Sequence, residues 1–223
     1  MELLVVTLAY ITPGRDEEAL ARLQPISDTV RNAPGLIIAR SYRSRGSKSY
    51  YLMLTTWEDE ESWRKAQERY NPRRLLLGTA TELLIQPPEQ WLMHYLWGYS
   101  RPAAVAVLAA AHLATIRPDQ AERTQRGWIE SLRRQAIQPV LSFAFLARGD
   151  NEDMLISRPA MAESGLDGSG NPVQDGAVFL NLLSWASEAD REEFYVDVNY
   201  KAISLLLENV GSLQILTLEP LPW

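Results

Sequence analysis

The sequence predicts an α+β chain made of two tandem βαββαβ domains, each an antiparallel sheet covered on one face by two helices. Three observations carry that expectation. An apolar strand that ends on a tryptophan and turns at once into a capped helix occurs twice, as Lys48 to Tyr70 around Trp57 and as Ala177 to Tyr200 around Trp185. The order strand, helix, strand, strand, helix, strand can be read through each half. A chain of 223 residues at 46% apolar composition is also long enough for two domains that each bury a core. The expected domains are 1–100 and 101–223.

In the first half, Leu3 to Thr12 is rich in branched residues and closes on Pro13-Gly14, which reads as a strand. Asp16 to Asn32 then places Ala19, Leu20, Leu23, Ile26 and Val30 at helical spacing, and Pro34-Gly35 stops it. Leu36 to Tyr42 and Tyr50 to Trp57 are strands joined by a polar turn at Arg45 to Lys48. Asp59 can cap the helix that follows to about Tyr70, and the acidic run Glu58 to Glu61 suits that helix N-terminus. A short continuation over Arg73 to Leu77 and a fourth strand at Thr81 to Gln86 complete the unit. Beyond Pro88, the large residues Trp91, Met93, Tyr95, Trp97 and Tyr99 fall on alternate positions, which predicts an extended arm reaching toward the second domain.

The second half repeats the pattern: strand Ala104 to Ile116, helix Pro118 to Ala136, strands Val140 to Leu146 and Val178 to Trp185, a helix from Ser187 past Asn199, and strand Ser212 to Leu218. Ser187 and Asp190 have capping-box spacing, with Asp where Glu or Gln is usual. Between the middle strands lies a long insertion, 149–176, rich in Gly, Asp, Ser and Pro, expected as an exposed loop with at most a short strand at Met154 to Ser157.

Composition removes several functions. With 22 basic and 28 acidic residues and a net charge of −6, no basic surface exists for nucleic acid or anionic membranes. The opening apolar run is too short to span a bilayer and has no basic leader, so a cytoplasmic protein is expected. The chain has no cysteine and 2 histidines, His94 and His112, which excludes thiolate chemistry and disfavours a His-rich metal site. Asp167, Ser169 and Asn171 start like a calcium loop, but Pro172 and Val178 stand where Gly and Glu are needed. Phosphate loops, nucleophile elbows and zinc-helix motifs are missing from the sequence.

The pieces TTWEDEESW at Thr55 to Trp63, NLLSWASEAD at Asn181 to Asp190 and LMHYLWGY at Leu92 to Tyr99 resemble the antibiotic biosynthesis monooxygenase family of the dimeric α/β-barrel superfamily. The resemblance covers both halves and implies ferredoxin-like domains pairing within one chain as a barrel-like pseudo-dimer, with association of whole chains left open. Some members of that family convert polycyclic phenols to quinones without a cofactor; others degrade haem. The quinone-forming type has an Asn before the strand-end Trp and a Tyr after it in its pocket. The second half matches with Asn181 and Trp185 but carries Arg191 at the Tyr position, whereas the first half has Met53, Trp57 and Trp63. Haem cleavage is disfavoured, because the positions implied for its Trp and His are Ala66 and Leu76 in one half and Phe194 and Ser204 in the other.

Asn181 and Trp185 share one strand face with Phe179 and Leu183, which would make a mostly apolar pocket with an amide and an indole N–H as donors. Such a cavity suits a phenol whose phenolate reduces dioxygen directly. His112, among small residues, could take the phenolic proton, while His94 alternates away from the aromatic stripe and is expected at the surface. The sequence therefore points to a cofactor-independent monooxygenase of a small aromatic molecule, with Asn181, Trp185 and His112 as catalytic residues. Phe179, Arg191, Phe194, Trp57 and Trp63 would contact the substrate. The plainer alternatives are a non-catalytic small-molecule binder or a structural pseudo-dimer in which both tryptophans only fill the core.

Overall fold

The computed structural model describes residues 1–46, 48–102, 106–138, 140–149 and 176–222. The insertion from 150 to 175, with its calcium-like spacing and its short strand, lies outside them. The chain divides into two compact units, Met1–His94 with the terminal residues from Glu219, and a second from Tyr95 to Leu218.

In the first unit the elements are β1 (Leu3–Tyr10), α1 (Asp16–Arg31), β2 (Leu36–Ser44), β3 (Tyr50–Trp57), α2 (Glu60–Tyr70), α3 (Pro72–Thr79) and β4 (Glu89–Ser100), which continues into the second unit from Tyr95. Its antiparallel sheet runs β4-β1-β3-β2, with Leu3 opposite Trp57 and Leu4 opposite Met93. β1 and β3 are buried along nearly their whole length, which is why they read as unbroken apolar runs instead of alternating ones. The turn into α2 forms as expected: the Asp59 carboxylate accepts the Ser62 N–H at 2.7 Å. Pro34-Gly35 also does more than end α1. Gly35 sits at φ 78°, and a Cβ there would lie 2.6 Å from the Ser62 Cβ, so the turn packs on α2 where a side chain cannot go.

One strand was misplaced in the sequence. Thr81–Leu83 forms a single 3-10 turn, and the fourth strand of the sheet is the aromatic stretch itself, Glu89–Ser100. After the 3-10 turn Leu84 makes a single bridge, to Ile11, before Pro87-Pro88 interrupts the chain, whereas the alternating stretch beyond offers a full ladder to β1. From Tyr95 onward that strand packs within the second unit, where the Tyr95 ring meets Phe145 at 5.2 Å and Leu96, Trp97 and Tyr99 lie on the core.

The second unit contains β5 (Leu108–Ile116), α4 (Pro118–Ala136), β6 (Phe143–Gly149), β7 (Ala177–Trp185), α5 (Glu188–Val196), α6 (Val198–Val210) and β8 (Gly211–Pro220). Its sheet order is β8-β5-β7-β6, antiparallel throughout, matching the first unit element for element. Ser187 caps α5 by accepting the Asp190 N–H at 3.2 Å, and its hydroxyl donates to the Asp190 carboxylate at 2.7 Å. The long helix expected after Ser187 breaks at Asp197, which caps α6 through the N–H groups of Asn199 and Tyr200. That break sits beside Tyr195. Trp57 and Trp185 are both fully buried; removing an indole of that size from water is worth at most roughly 4–6 kcal/mol each.

Candidate functional site

In the second unit, alternate residues of β7 face the helices, where Phe179, Leu183 and Trp185 join a core completed by Trp128 of α4, Phe194 of α5 and Tyr200 of α6. The register sets His112 of β5 opposite Asn181 of β7, so the two polar candidates are neighbours. Each is 2% exposed, and each is satisfied by a different partner. Asn181, its amide oriented by its surroundings, donates to the Phe145 carbonyl at 2.9 Å and accepts the Trp128 indole N–H at 3.3 Å. Both ends of that amide are used. The Trp128 ring in turn lies 5.9 Å from Phe179, closing the face over β7.

His112 Nε2 lies 3.1 Å from the Tyr195 hydroxyl. Burial with no charge to offset it lowers the imidazole to about 4, so His112 is neutral near neutral pH. The same burial raises the Tyr195 and Tyr200 hydroxyls above the usual phenol range. Tyr195 is enclosed by Trp185 at 5.7 Å, Phe194 at 5.5 Å and Tyr200 at 4.8 Å between ring centres. The Trp185 indole N–H, buried at the same place, has no hydrogen-bond partner among the described residues. A buried donor without a partner costs about 1–3 kcal/mol, so it is a feature that calls for a reason. Arg191, one helical turn before Tyr195, is in an ion pair with Glu188 at 2.7 Å, and its charge opposes in part the upward push of burial on the Tyr195 hydroxyl.

The first unit differs at the matching positions. Trp57 donates its indole N–H to the Thr55 hydroxyl at 3.0 Å and packs on Trp63 at 5.1 Å, so both tryptophans serve the core. Met53 stands at the position of Asn181, opposite Thr7. A pocket opens there. It is lined by Thr7, Leu23, Ser41, Met53, Leu76 and Leu221 among others, and encloses about 310 Å3 counted out to its mouth, although side chains crowd it nearly to the size of one water. Tyr51, also on its wall, reaches the Asp16 carbonyl at 3.4 Å, and burial first, then the Asp16 charge, pushes its hydroxyl up to about 12.

Sequence reasoning placed Asn181 and Trp185 on one face of their strand and named His112 without a face or a partner; it missed Tyr195, Tyr200 and Trp128 in the second unit and Ser41 and Leu221 in the first. Trp128 was visible as the one bulky aromatic on the buried stripe of α4, beside Ala121 and Leu132. Tyr195 carried no comparable signal, since it follows Phe194, the buried aromatic of the same helix. His94, expected at the surface, is half-buried, and its Nδ1 has no partner among the described residues. Among those residues no group of three or more His, Asp or Glu side chains is placed to hold a metal. No helix among them is long and apolar enough to cross a membrane.

Comparison with known proteins adds a family and a fold. Residues 3–69 match the family model for antibiotic biosynthesis monooxygenase. None of the curated proteins compared with the chain matches its sequence. An anthrone oxidase-like protein of known structure aligns with a TM-score of 0.72 at 14% identity, over 99% of this chain and 91% of its own. A monooxygenase-like protein of Listeria innocua aligns at 0.52 and 11% identity, over 99% and 95% of the two chains. A major regulator of staphylococcal pathogenesis aligns at 0.54 and 10% identity, over 97% and 99%. At these identities the likeness is one of fold, and that fold carries an oxidase-like name and a regulator alike.

Proposed function

We propose, from the match of residues 3–69 to the antibiotic biosynthesis monooxygenase family model, that the chain oxidises a small phenolic or polycyclic aromatic compound on the helix-covered face of the second unit, without a metal or flavin. The observation that carries this reading is the His112–Tyr195 pair. A neutral, buried imidazole holds a phenol hydroxyl at 3.1 Å, and the phenol ring is walled by Trp185, Phe194 and Tyr200. Tyr195 is thereby a built-in example of the group the site would receive. It lies one residue from the end of α5, beside the break at Asp197, where a side chain can swing aside without unwinding a helix interior.

In this reading a substrate phenol takes the place of the Tyr195 hydroxyl, and His112 accepts its proton. A phenolate held next to the imidazolium raises the proton affinity of His112 again, because the ion pair is shielded from water. The Trp185 N–H, otherwise unpartnered, donates to the phenolate oxygen. The phenolate passes one electron to dioxygen, the radical pair joins at a ring carbon as a hydroperoxide, and loss of water leaves a carbonyl. The proton held by His112 passes to the peroxide, so the substrate loses two hydrogens, one from its hydroxyl and one from the ring carbon, and gains one oxygen at that carbon; the second oxygen departs with both hydrogens as water. Asn181 acts at one remove, holding Trp128 in place, while Phe179 and Phe194 form walls.

A second reading, a binder without turnover, is favoured by one observation: both ends of the Asn181 amide are already used within the protein. Oxygen uptake and product mass with a panel of anthrones and hydroquinones, in chelator-treated protein, separates the two. The oxidase reading expects one oxygen atom incorporated per dioxygen consumed and a loss of about 10²-fold or more in kcat for His112→Asn. Thermal stabilisation by the same compounds with no uptake would establish the binder instead and overturn the oxidase.

A further inference from the structure

Helix α6 is apolar on two sides. Its buried residues, Tyr200, Ile203, Leu207 and Val210, sit on the core of the second unit, and its first turn lies against α4, whose Ser131 hydroxyl donates to the Asn199 backbone carbonyl at 3.1 Å. The opposite face has no such cover. At about 100° per residue Val198, Ala202 and Leu205 come round to the side away from the core. There Val198 is 74% and Leu205 61% exposed, with Ala202 exposed between them. The Gln138 amide donates to the Asp197 carboxylate at 3.1 Å, which sets Ile137, 86% exposed, at the same end of α6 as Val198. A contiguous apolar strip of this kind marks a surface that meets something.

The matching helix of the first unit shows that the fold does not require an apolar outer face. α3, capped by Asn71 as α6 is by Asp197, exposes Arg74, Gly78 and Thr79. The charges on the outer face of α6 identify its partner. Lys201 and Glu208 are both exposed and stand about two turns apart, flanking Leu205 on the same side of the helix. Neither is in an ion pair among the described residues; the Glu208 carboxylate accepts the Ser204 hydroxyl at 3.4 Å. A two-fold axis midway between them lays two copies of α6 antiparallel, sets Leu205 against Leu205 and puts each Lys201 opposite the Glu208 of the second copy. A parallel pair would set lysine against lysine and glutamate against glutamate. The face is therefore self-complementary in one orientation, whereas a partner or lipid surface of a single charge would match only one of the two groups.

We propose that the outer face of α6 docks a second copy of this chain, antiparallel about a two-fold axis, with Leu205 at the centre and a Lys201–Glu208 ion pair toward each end. The apolar contact supplies the affinity, and the ion pairs, being exposed, fix the orientation. One helix face covers well under the roughly 800 Å2 per partner of a standard stable interface, so the dimer has a dissociation constant on the order of 10 to 100 μM. The pairing involves neither His112 nor Tyr195 and stands apart from the oxidation proposed above.

Sedimentation velocity of the full chain, from about 1 μM to about 1 mM, tests the pairing. The wild type is expected to pass from monomer to dimer within that range. Leu205→Glu, at an exposed position where the fold tolerates it, is expected to raise the dissociation constant by about tenfold or more, with circular dichroism confirming an intact fold. Lys201→Glu and Glu208→Lys are each expected to weaken the dimer by roughly three- to tenfold, because each sets like charges opposite one another, and the double exchange is expected to return the affinity to within about twofold of wild type. That recovery is the decisive reading, since a contact that needed only the apolar strip would not show it. The proposal is overturned if the chain stays monomeric at the top of the range, if Leu205→Glu leaves the dimer unchanged, or if the double exchange binds no more tightly than the single variants. Monomeric protein that instead sediments with phosphatidylcholine vesicles, and ceases to do so with Leu205→Glu, would put a lipid surface in place of the second copy and overturn it as well.

Discussion

His112 makes stability depend on pH in a defined direction. In the unfolded chain it titrates near 6.5, and in the folded protein burial lowers it to about 4. Below pH 6.5 the unfolded state therefore binds a proton that the folded state refuses, and stability falls as the pH drops, by up to about 1.4 kcal/mol per pH unit, until the folded-state value is reached. Integrated over that window the loss is roughly 3 kcal/mol, and above pH 7 the contribution is fully present. Carboxylates that are held ionised in the fold, such as Asp197 through its bonds from Gln138, Asn199 and Tyr200, lose stability at overlapping pH. The informative quantity is thus the difference between wild type and His112→Asn. Urea unfolding at closely spaced pH from 4 to 8 measures it. The wild-type curve should fall below its own neutral value by roughly 3 kcal/mol more than the variant's does. A difference curve that is flat across pH 4 to 6.5, or that slopes the other way, would refute the assignment of a neutral, buried imidazole on which the proton-accepting role rests.

Other expectations follow from the same contacts. Trp57→Phe should cost about 1 kcal/mol more than Trp185→Phe, because only Trp57 gives up a hydrogen bond, to Thr55; equal losses in denaturant unfolding would mean the Trp185 N–H has a partner after all. Gly35→Ala should destabilise by roughly 2–4 kcal/mol, combining a left-handed backbone with a Cβ 2.6 Å from Ser62. Adding Ser62→Gly should recover the steric part and leave the backbone part, and a Gly35→Ala loss below about 1 kcal/mol would show that the turn relaxes freely.

What could be read from the sequence was whatever local chemistry enforces. Trp57 with Asp59 and Trp185 with Ser187 announce the strand-to-helix turns, because free amides at a helix start need an acceptor wherever the helix lies. The fourth strand was misassigned because Thr81 to Gln86 is apolar enough for a strand, and only the ladder with β1 decides in favour of Glu89–Ser100. Tyr195 and Leu221 were missed for a related reason. A hydroxyl 83 residues from His112 along the chain, or a leucine from the chain end beside Ser41, is brought into place by tertiary packing that no spacing rule encodes. Asn181 shows the opposite failure: its position was right, yet its amide is taken by Trp128, a residue whose helix position reads only as core.

The two units keep complementary parts of one arrangement. At the same register position, on the helix-covered face of the sheet, the first has Thr7 opposite Met53 and the second has His112 opposite Asn181. Met53 makes no demand for a hydrogen-bond partner, so α1 and α3 can present Leu23 and Leu76 and leave a recess between them. A buried asparagine cannot be left that way. Its amide must be satisfied at both ends, and the partner that reaches it, Trp128, is bulky enough to occupy the space. The first unit, with Met53 in place of the asparagine, thus keeps a narrow recess and has no base, whereas the second keeps the base and packs Tyr195 against it, so the oxidation proposed above requires Tyr195 to swing aside before a substrate enters.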